Sequence, residues 1–131
     1  MSKESEPVST IMSTNVKTAT EEETIQTVCK SMYENQIGSI VVVKRTVVGI
    51  NPIGIITERD IVRQIGSSEL FIVQAPIRQI MSTPLVTIRP NSLIRDAIET
   101  MRLKNISRLP VIDNKGIMVG IVTYKDLLKE T

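Results

Sequence analysis

The sequence GIITERD at residues 54–60 recurs as GIVTYKD at residues 120–126, 66 positions further along the chain. In both copies a β-branched apolar stretch leads into Thr-x-x-Asp, a pattern typical of a buried strand that runs into a helix N-terminus. Upstream, residues 7–43 align without a gap on residues 76–112, with ten identical pairs in 37 positions. Because two separate segments recur in the same order, the chain contains an internal duplication.

Hydrophobic spacing predicts the same elements in each copy. Apolar residues at i, i+3, i+4 and i+7 indicate a helix from Ile25 to Met32 and its equivalent from Ile94 to Met101. Short apolar runs indicate strands, and a short helix closes each copy. The predicted strands are 16–18, 40–43 and 53–56 in the first copy and 86–88, 109–112 and 118–122 in the second, with a turn at 113–116.

These elements predict an α+β fold of two β-α-β-β-α repeats, related by a pseudo-two-fold axis and forming one compact module. The first repeat would span residues 7–66 and the second 76–131, with a flexible N-terminus at 1–6 and a linker at 67–75. The segment Gly66-Ser67-Ser68 is expected to end the first repeat, since glycine commonly stops a helix. Neither repeat alone is large enough to bury the hydrophobic core that a stable domain needs.

The chain has no histidine and a single cysteine. Histidine is the commonest general base and metal ligand, so Ser-His and Cys-His catalysis and His-ligated zinc are excluded. Gly49 and Gly54 are not followed by the Gly-Lys-Ser/Thr of a phosphate-binding loop, so nucleotide hydrolysis lacks its usual machinery. Catalysis by carboxylates or lysine stays open, but these absences favour a protein that is not an enzyme. We predict no catalytic residues, no catalytic cofactor and no metal site.

Charge and aromatic content limit the partners. A net charge of +2 and 2% aromatic residues disfavour nucleic-acid binding, which relies on basic surfaces and base stacking. No apolar run reaches transmembrane length, and residues 1–7 lack the apolar core of a signal peptide. We expect a cytoplasmic protein with no membrane partner, and the single cysteine fits a reducing compartment.

The Thr-x-x-Asp motifs allow two interpretations. The first is a capping box, in which Thr accepts a hydrogen bond from the helix start and Asp reaches back to the Thr amide. The second is a nucleotide site, because a helix N-terminus, a Thr hydroxyl and a basic residue suit phosphate, while a carboxylate accepts hydrogen bonds from a ribose diol. The recurrence of Thr57, Arg59 and Asp60 as Thr123, Lys125 and Asp126 favours ligand binding.

The ordered motifs resemble a tandem pair of CBS domains, together called a Bateman module. The resemblance covers about residues 7–130. The matching segments are Met-Ser-Thr at 12–14 and 81–83, the central strands at 37–43 and 106–113, and the closing motifs at 54–60 and 120–126.

This resemblance implies that AMP, ADP, ATP or S-adenosylmethionine binds in a cleft between the repeats. Asp60 and Asp126 would hold ribose, while Thr57, Arg59, Thr123 and Lys125 would face phosphate. Each site would also use the partner repeat, with Arg108 as an extra cation for phosphate. Both sites are expected to be competent, and whether one or both are filled stays open at this point. The Asp126 site would include Thr18, Ala19, Gly38, Ser39 and Ile40. The Asp60 site would include Thr87, Ile88, Ser107, Arg108 and Leu109.

The predicted function is therefore that of a stand-alone regulatory or energy-sensing module, which the resemblance implies to be a homodimer. It would act through its own assembly or on a protein target that the sequence does not identify. One alternative is a structural dimerisation or partner-docking module with vestigial clefts. A weaker alternative is nucleic-acid binding through the arginines, with an affinity that falls steeply with salt.

Overall fold

The structure, a computed structural model, describes residues 3–67 and 73–129. The first copy has the predicted order of elements. The strand predicted at 16–18 begins two residues later, and both longer strands extend beyond their predicted ends. The elements are β1 (Thr18–Thr20), α1 (Ile25–Asn35), β2 (Ser39–Thr46), β3 (Gly49–Thr57) and α2 (Glu58–Ser67).

The second copy differs at its first strand. The strand predicted at 86–88 is reduced to a single parallel bridge between Ile88 and Val111. In the first copy the Val41 N–H donates to the carbonyl of Lys17, at 3.3 Å. Pro110 occupies the position of Val41 and has no N–H to donate, so this bond cannot form. The remaining elements are α3 (Ile94–Lys104), β4 (Arg108–Ile112), β5 (Met118–Thr123) and α4 (Tyr124–Leu128).

The strands form two separate sheets. One has the order β1-β2-β3, with β1 parallel and β3 antiparallel to β2. The other pairs β4 with β5 in antiparallel fashion. The register shifts between Val42 and Val43 in β2 and between Val111 and Ile112 in β4, which are equivalent positions of the two copies.

The first helix of each copy starts and ends through local hydrogen bonds. Thr24 Oγ1 accepts from the Thr27 N–H at the start of α1, and Asp96 Oδ2 accepts from the Leu93 N–H at the start of α3. Both helices end at a left-handed residue, Gln36 with φ 52° and its equivalent Asn105 with φ 54°.

Helix α2 runs through Gly66 to Ser67, whose hydroxyl donates to the Arg63 carbonyl at 2.6 Å. The repeat end expected at residues 66–68 stays a prediction, and residue 68 lies outside the described residues. The predicted linker at 67–75 falls partly outside the described residues. Its last residue, Ala75, packs against the core of residues 17–85, and its carbonyl accepts from the Ile25 N–H at 3.0 Å.

Residues 17–85 form one of two structural units. Their core lies between the sheet β1-β2-β3, helix α1 and the 3₁₀ helix Ile77–Gln79, which belongs to the start of the second sequence repeat. The buried core residues are Ala19, Ile25, Val28, Met32, Ile40, Val42, Ile56 and Ile77.

Residues 1–16 and 86–131 form the other unit. Here the start of the first sequence repeat, including the 3₁₀ helix Val8–Thr10, completes the fold of the second. The Val8 N–H donates to the Ser92 carbonyl at 2.8 Å, and Ser13 forms a bridge with Ile121. The buried core residues are Val8, Ile88, Ile94, Ala97, Met101, Leu109, Val111, Val122 and Leu127.

Candidate functional site

The turn at residues 57–60 connects β3 to α2. The backbone N–H of Thr57 donates to Asp60 Oδ2 at 2.9 Å, and the Thr57 hydroxyl donates to the same oxygen at 3.1 Å. The backbone N–H of Asp60 donates to Thr57 Oγ1 at 3.3 Å. This is the reciprocal capping box that the motif predicts, and it fixes the Asp60 carboxylate against its own turn.

A residue that the sequence did not identify as part of the site also binds Asp60. The hydroxyl of Ser82 donates to Asp60 Oδ1 at 2.9 Å. Ser82 is placed there by a bridge to Ile55 in β3, with both N–H to carbonyl bonds formed. Ser82 lies 22 residues after Asp60, so no local pattern reports this contact. The identity of Ser82 with Ser13 in the repeat alignment was the one available signal.

The turn at residues 123–126 connects β5 to α4 with a looser set of hydrogen bonds. The Thr123 N–H donates to Asp126 Oδ2 at 3.3 Å, and the Asp126 N–H donates to Thr123 Oγ1 at 3.2 Å. Asp126 is half-buried, whereas Asp60 is only 9% exposed. Both turns are therefore capping boxes, but they differ in how many acceptor sites of the carboxylate are occupied.

Each turn lies beside the start of a strand in its own unit. The Glu58 N–H donates to the Gly38 carbonyl at 3.0 Å, and Ser39 pairs with Thr57. In the second copy the Tyr124 N–H donates to the Ser107 carbonyl at 2.8 Å, and Arg108 pairs with Thr123. The structure thus places Gly38 and Ser39 beside Thr57, and Ser107 and Arg108 beside Thr123. The predicted sharing of each site with the partner repeat stays a prediction.

The other predicted site residues differ in how much of their side chains is exposed to solvent. Thr18 is exposed and Thr87 is half-buried, whereas four apolar residues have side chains in the cores, so only their backbone groups are available to a ligand. The Ile88 N–H and carbonyl already bond to β4. The four buried residues are Ala19, Ile40, Ile88 and Leu109.

The predicted phosphate-facing cations are accessible. Arg59 and Lys125 are exposed, and half-buried Arg108 donates from Nη1 to the Ser107 hydroxyl at 3.0 Å. Within residues 3–67 and 73–129 the ion pairs, Arg78–Glu22 and Arg102–Glu99, do not involve any of these three side chains. All three cations are therefore able to meet a phosphate without breaking an ion pair.

An open pocket of about 610 Å³ lies at the end of α1 in unit 17–85. Glu58 of its lining follows Thr57 directly, but none of the predicted ribose or phosphate residues line it. The two glutamates of the lining disfavour an anionic ligand. The lining residues are Met32, Tyr33, Glu34, Gln36, Ile37 and Glu58.

Residues 3–67 and 73–129 contain no group of three or more acidic, cysteine or histidine side chains placed to bind a metal ion. None of their helices has both the length and the apolar character needed to span a bilayer.

Comparison with known proteins establishes the family. The CBS domain family matches residues 8–67 and 77–131, that is, both repeats. The chain therefore belongs to the CBS-domain family, and its fold is that of a CBS pair, as the motifs predicted.

Two curated relatives span most of the chain. A protein of Methanopyrus kandleri is 37% identical over 115 residues, covering 88% of this chain and 57% of the relative. CBS domain-containing protein YhcV of Bacillus subtilis is 35% identical over 116 residues, covering 88% of this chain and 79% of the relative. This chain thus spans little more than half the length of the Methanopyrus protein.

Solved structures share the fold over nearly the whole chain. The CBS domain pair of protein MJ0100, in complex with 5′-methylthioadenosine and S-adenosyl-L-methionine, is 26% identical with a TM-score of 0.80, covering 94% of this chain and 93% of its own. Protein MJ1225 of Methanocaldococcus jannaschii, a proposed archaeal homologue of g-AMPK, is 27% identical with a TM-score of 0.86. The match covers 96% of this chain and 48% of MJ1225.

Proposed function

We propose that this chain is a regulatory module that binds an adenosine ligand (AMP, ADP, ATP or S-adenosylmethionine) through at least one of its two Thr-x-x-Asp turns. The proposal is carried by one observation: both units place a carboxylate, a Thr hydroxyl and an exposed cation together at the end of a strand. A carboxylate suits a ribose diol, and the hydroxyl and the cation suit phosphate. The adenosyl ligands of the MJ0100 CBS pair support this class of ligand.

The site has a regulatory role only if the ligand binds two states of the protein unequally. We propose that these states concern the assembly of the chain or its contact with a protein target. Val62 and Ile65 on α2 support an assembly role, because both side chains are more than half exposed on one helix and present an apolar surface. A docking module without ligand binding is the competing proposal.

The first test is calorimetric and thermal-shift titration of the chain with AMP, ADP, ATP and S-adenosylmethionine. A ligand that binds only the folded state adds about 2.7 kcal/mol of stability at about 100 times its dissociation constant. We expect a raised unfolding midpoint with at least one of the four. If none shifts the midpoint of the folded protein while light scattering shows a dimer, the docking proposal replaces this one.

A matched pair of variants separates ligand binding from helix capping. Asp126→Asn alters a capping carboxylate at the proposed site, and Asp96→Asn alters one at the start of α3 that is not among the proposed site residues. Both variants should lower stability slightly because both weaken a cap. We expect only Asp126→Asn to weaken adenosine-ligand binding, by about tenfold or more, since hydrogen bonds to a charged group are strong. Equal affinities for the two variants would contradict the proposed site.

A further inference from the structure

The two Thr-x-x-Asp turns are chemically unequal, although their motifs are equivalent in sequence. We call residues 57–60 with Ser82 the closed turn, and residues 123–126 the open turn. In the closed turn Asp60 accepts three hydrogen bonds, two at Oδ2 from Thr57 and one at Oδ1 from Ser82. A carboxylate has about four lone-pair sites, so few acceptor positions remain for a diol.

The open turn leaves its acceptors available. Asp126 accepts one hydrogen bond, from the Thr123 N–H to Oδ2. Within the described part of the chain, no hydrogen bond reaches Asp126 Oδ1. A ribose diol presents two O–H donors, and both lone pairs of Oδ1 are available to accept them.

The hydroxyls of Thr57 and Thr123 also differ, because only that of Thr57 donates a hydrogen bond to its aspartate. A hydroxyl has one proton to donate. Thr57 donates this proton to Asp60 Oδ2 at 3.1 Å. Thr123 Oγ1 accepts from the Asp126 N–H, and among the described residues it has no acceptor for its own proton. The proton of Thr123 is therefore free to bind a phosphate or hydroxyl oxygen of a ligand.

Ser82 is the residue that produces much of this difference. Its repeat equivalent, Ser13, forms the same backbone bridge, to Ile121, but no hydrogen bond from Ser13 to Asp126 is present. The Ser82 contact joins two segments of unit 17–85 and helps to hold Asp60 at 9% exposure. For Asp60 to bind a diol, the Ser82 or Thr57 contacts would first have to break.

We propose that each chain binds one adenosine ligand at the open turn, through Asp126, and that Ser82 holds Asp60 in a structural role. This inference rests on the proposed function and gives it a stoichiometry. Ser82 acts through Asp60 and is a positioning residue for the closed turn. Of the two sites that the sequence leads us to expect, the open turn would then be the one that is filled.

The test is calorimetry on the full chain with AMP, ADP, ATP and S-adenosylmethionine as probes. We expect one ligand per chain. Asp126→Asn should raise the dissociation constant about tenfold or more, as expected for the loss of charge-assisted hydrogen bonds. Asp60→Asn should change the dissociation constant by less than about twofold and should instead lower the unfolding midpoint, because it weakens the part-buried hydrogen bonds from Thr57 and Ser82.

Ser82→Ala and its matched control Ser13→Ala test the role of the serine. Removing the Ser82 hydroxyl frees Asp60 Oδ1, so we expect a second, weaker binding event in Ser82→Ala and none in Ser13→Ala. Absence of that second event would remove Ser82 from the explanation. This pair also keeps the inference testable if Asp60→Asn does not fold.

Failure of the single-site inference and failure of the proposed function would give different results. Two equal sites in the unmodified chain, or equal losses of affinity in Asp60→Asn and Asp126→Asn, would overturn the single-site inference and leave the proposed function intact. No binding of any of the four probes to the folded chain would overturn the proposed function itself.

Discussion

Gly54 in β3 and Gly120 in β5 have no side chain, which allows Met81 and Met12 to pack closely against these strands. A Cβ added at Gly54 would lie 2.8 Å from the Met81 sulfur, and one at Gly120 would lie 2.8 Å from the Met12 sulfur. The Cβ added at Gly54 would also lie 3.2 Å from the carbonyl oxygen of Ser82. The Cβ added at Gly120 would lie closer to backbone, 2.9 Å from the carbonyl oxygen of Ser13. A thioether can move, whereas a backbone oxygen held in a bridge cannot move easily.

We therefore predict that Gly120→Ala destabilises more than Gly54→Ala. Overpacking against backbone at Gly120 should lower the free energy of unfolding by about 1–3 kcal/mol, and the loss at Gly54 should be smaller. Gly66→Ala is the control, since a Cβ there meets nothing within 4 Å and the residue is helical. It should stabilise by about 0.5 kcal/mol. Chemical denaturation measures all three, and equal losses at Gly54 and Gly120 would contradict the prediction.

The environment of the single cysteine, Cys29, follows from its alignment with the second repeat. Cys29 aligns with Ile98, which predicts a core position, and Cys29 packs against the core of unit 17–85. Burial raises the pKa of the Cys29 thiol above its usual 9.0. The side chain therefore behaves as a small apolar group at neutral pH.

At the level of elements, the hairpin of β4 and β5 depends on one carboxylate. Asp113 Oδ1 accepts from the N–H of Ile117 at 2.9 Å and from the N–H of Lys115 at 2.8 Å. These bonds, first that of Ile117 and then that of Lys115, hold the pKa of Asp113 below its usual 3.8. The turn predicted at 113–116 is confirmed, and the charged form of Asp113 stabilises it.

This hairpin should respond to acid. Because the folded-state pKa of Asp113 is depressed, its contribution to stability is present at neutral pH and is lost as pH falls through that pKa. We predict that Asp113→Ala lowers the unfolding midpoint at pH 7, and that the difference from the unmodified chain shrinks below about pH 4. Lys44, the repeat equivalent, provides the control Lys44→Ala. A difference that stays constant down to about pH 2 would contradict this role for Asp113.

At the scale of the whole molecule, the sequence repeats and the structural units do not coincide. Val8 lies in the first sequence repeat but in the core of the unit that contains residues 86–131. Ile77, its equivalent in the second repeat, lies in the core of unit 17–85. Both residues have 0% exposure. Each unit therefore depends on a segment from the other repeat.

Because each core contains a segment from the other repeat, we can predict which unit a core substitution destabilises. Val8→Ala should destabilise residues 86–129 by about 2 kcal/mol, and Ile77→Ala should destabilise residues 17–67 by about 2–5 kcal/mol, because each leaves a cavity in the core that receives the segment. Native-state hydrogen exchange resolved by peptide measures the location. Faster exchange confined to residues 17–67 in Val8→Ala would contradict the assignment.

The sequence alone determined the duplication, the order of elements, both capping boxes and the apolar faces. These features depend on local spacing and on short-range hydrogen bonds, as at Thr123 and Asp126. Even the missing strand in the second copy has a sequence cause, because Pro110 has no N–H.

Only the tertiary structure decided which segments complete which core and how the two turns differ. The contact between Ser82 and Asp60 spans 22 residues, and Val8 reaches Ser92 across most of the chain. Periodicity reports which face of an element is buried but not which segment covers it. Contacts between distant residues depend on the path of the whole chain, so equivalent motifs acquired unequal surroundings.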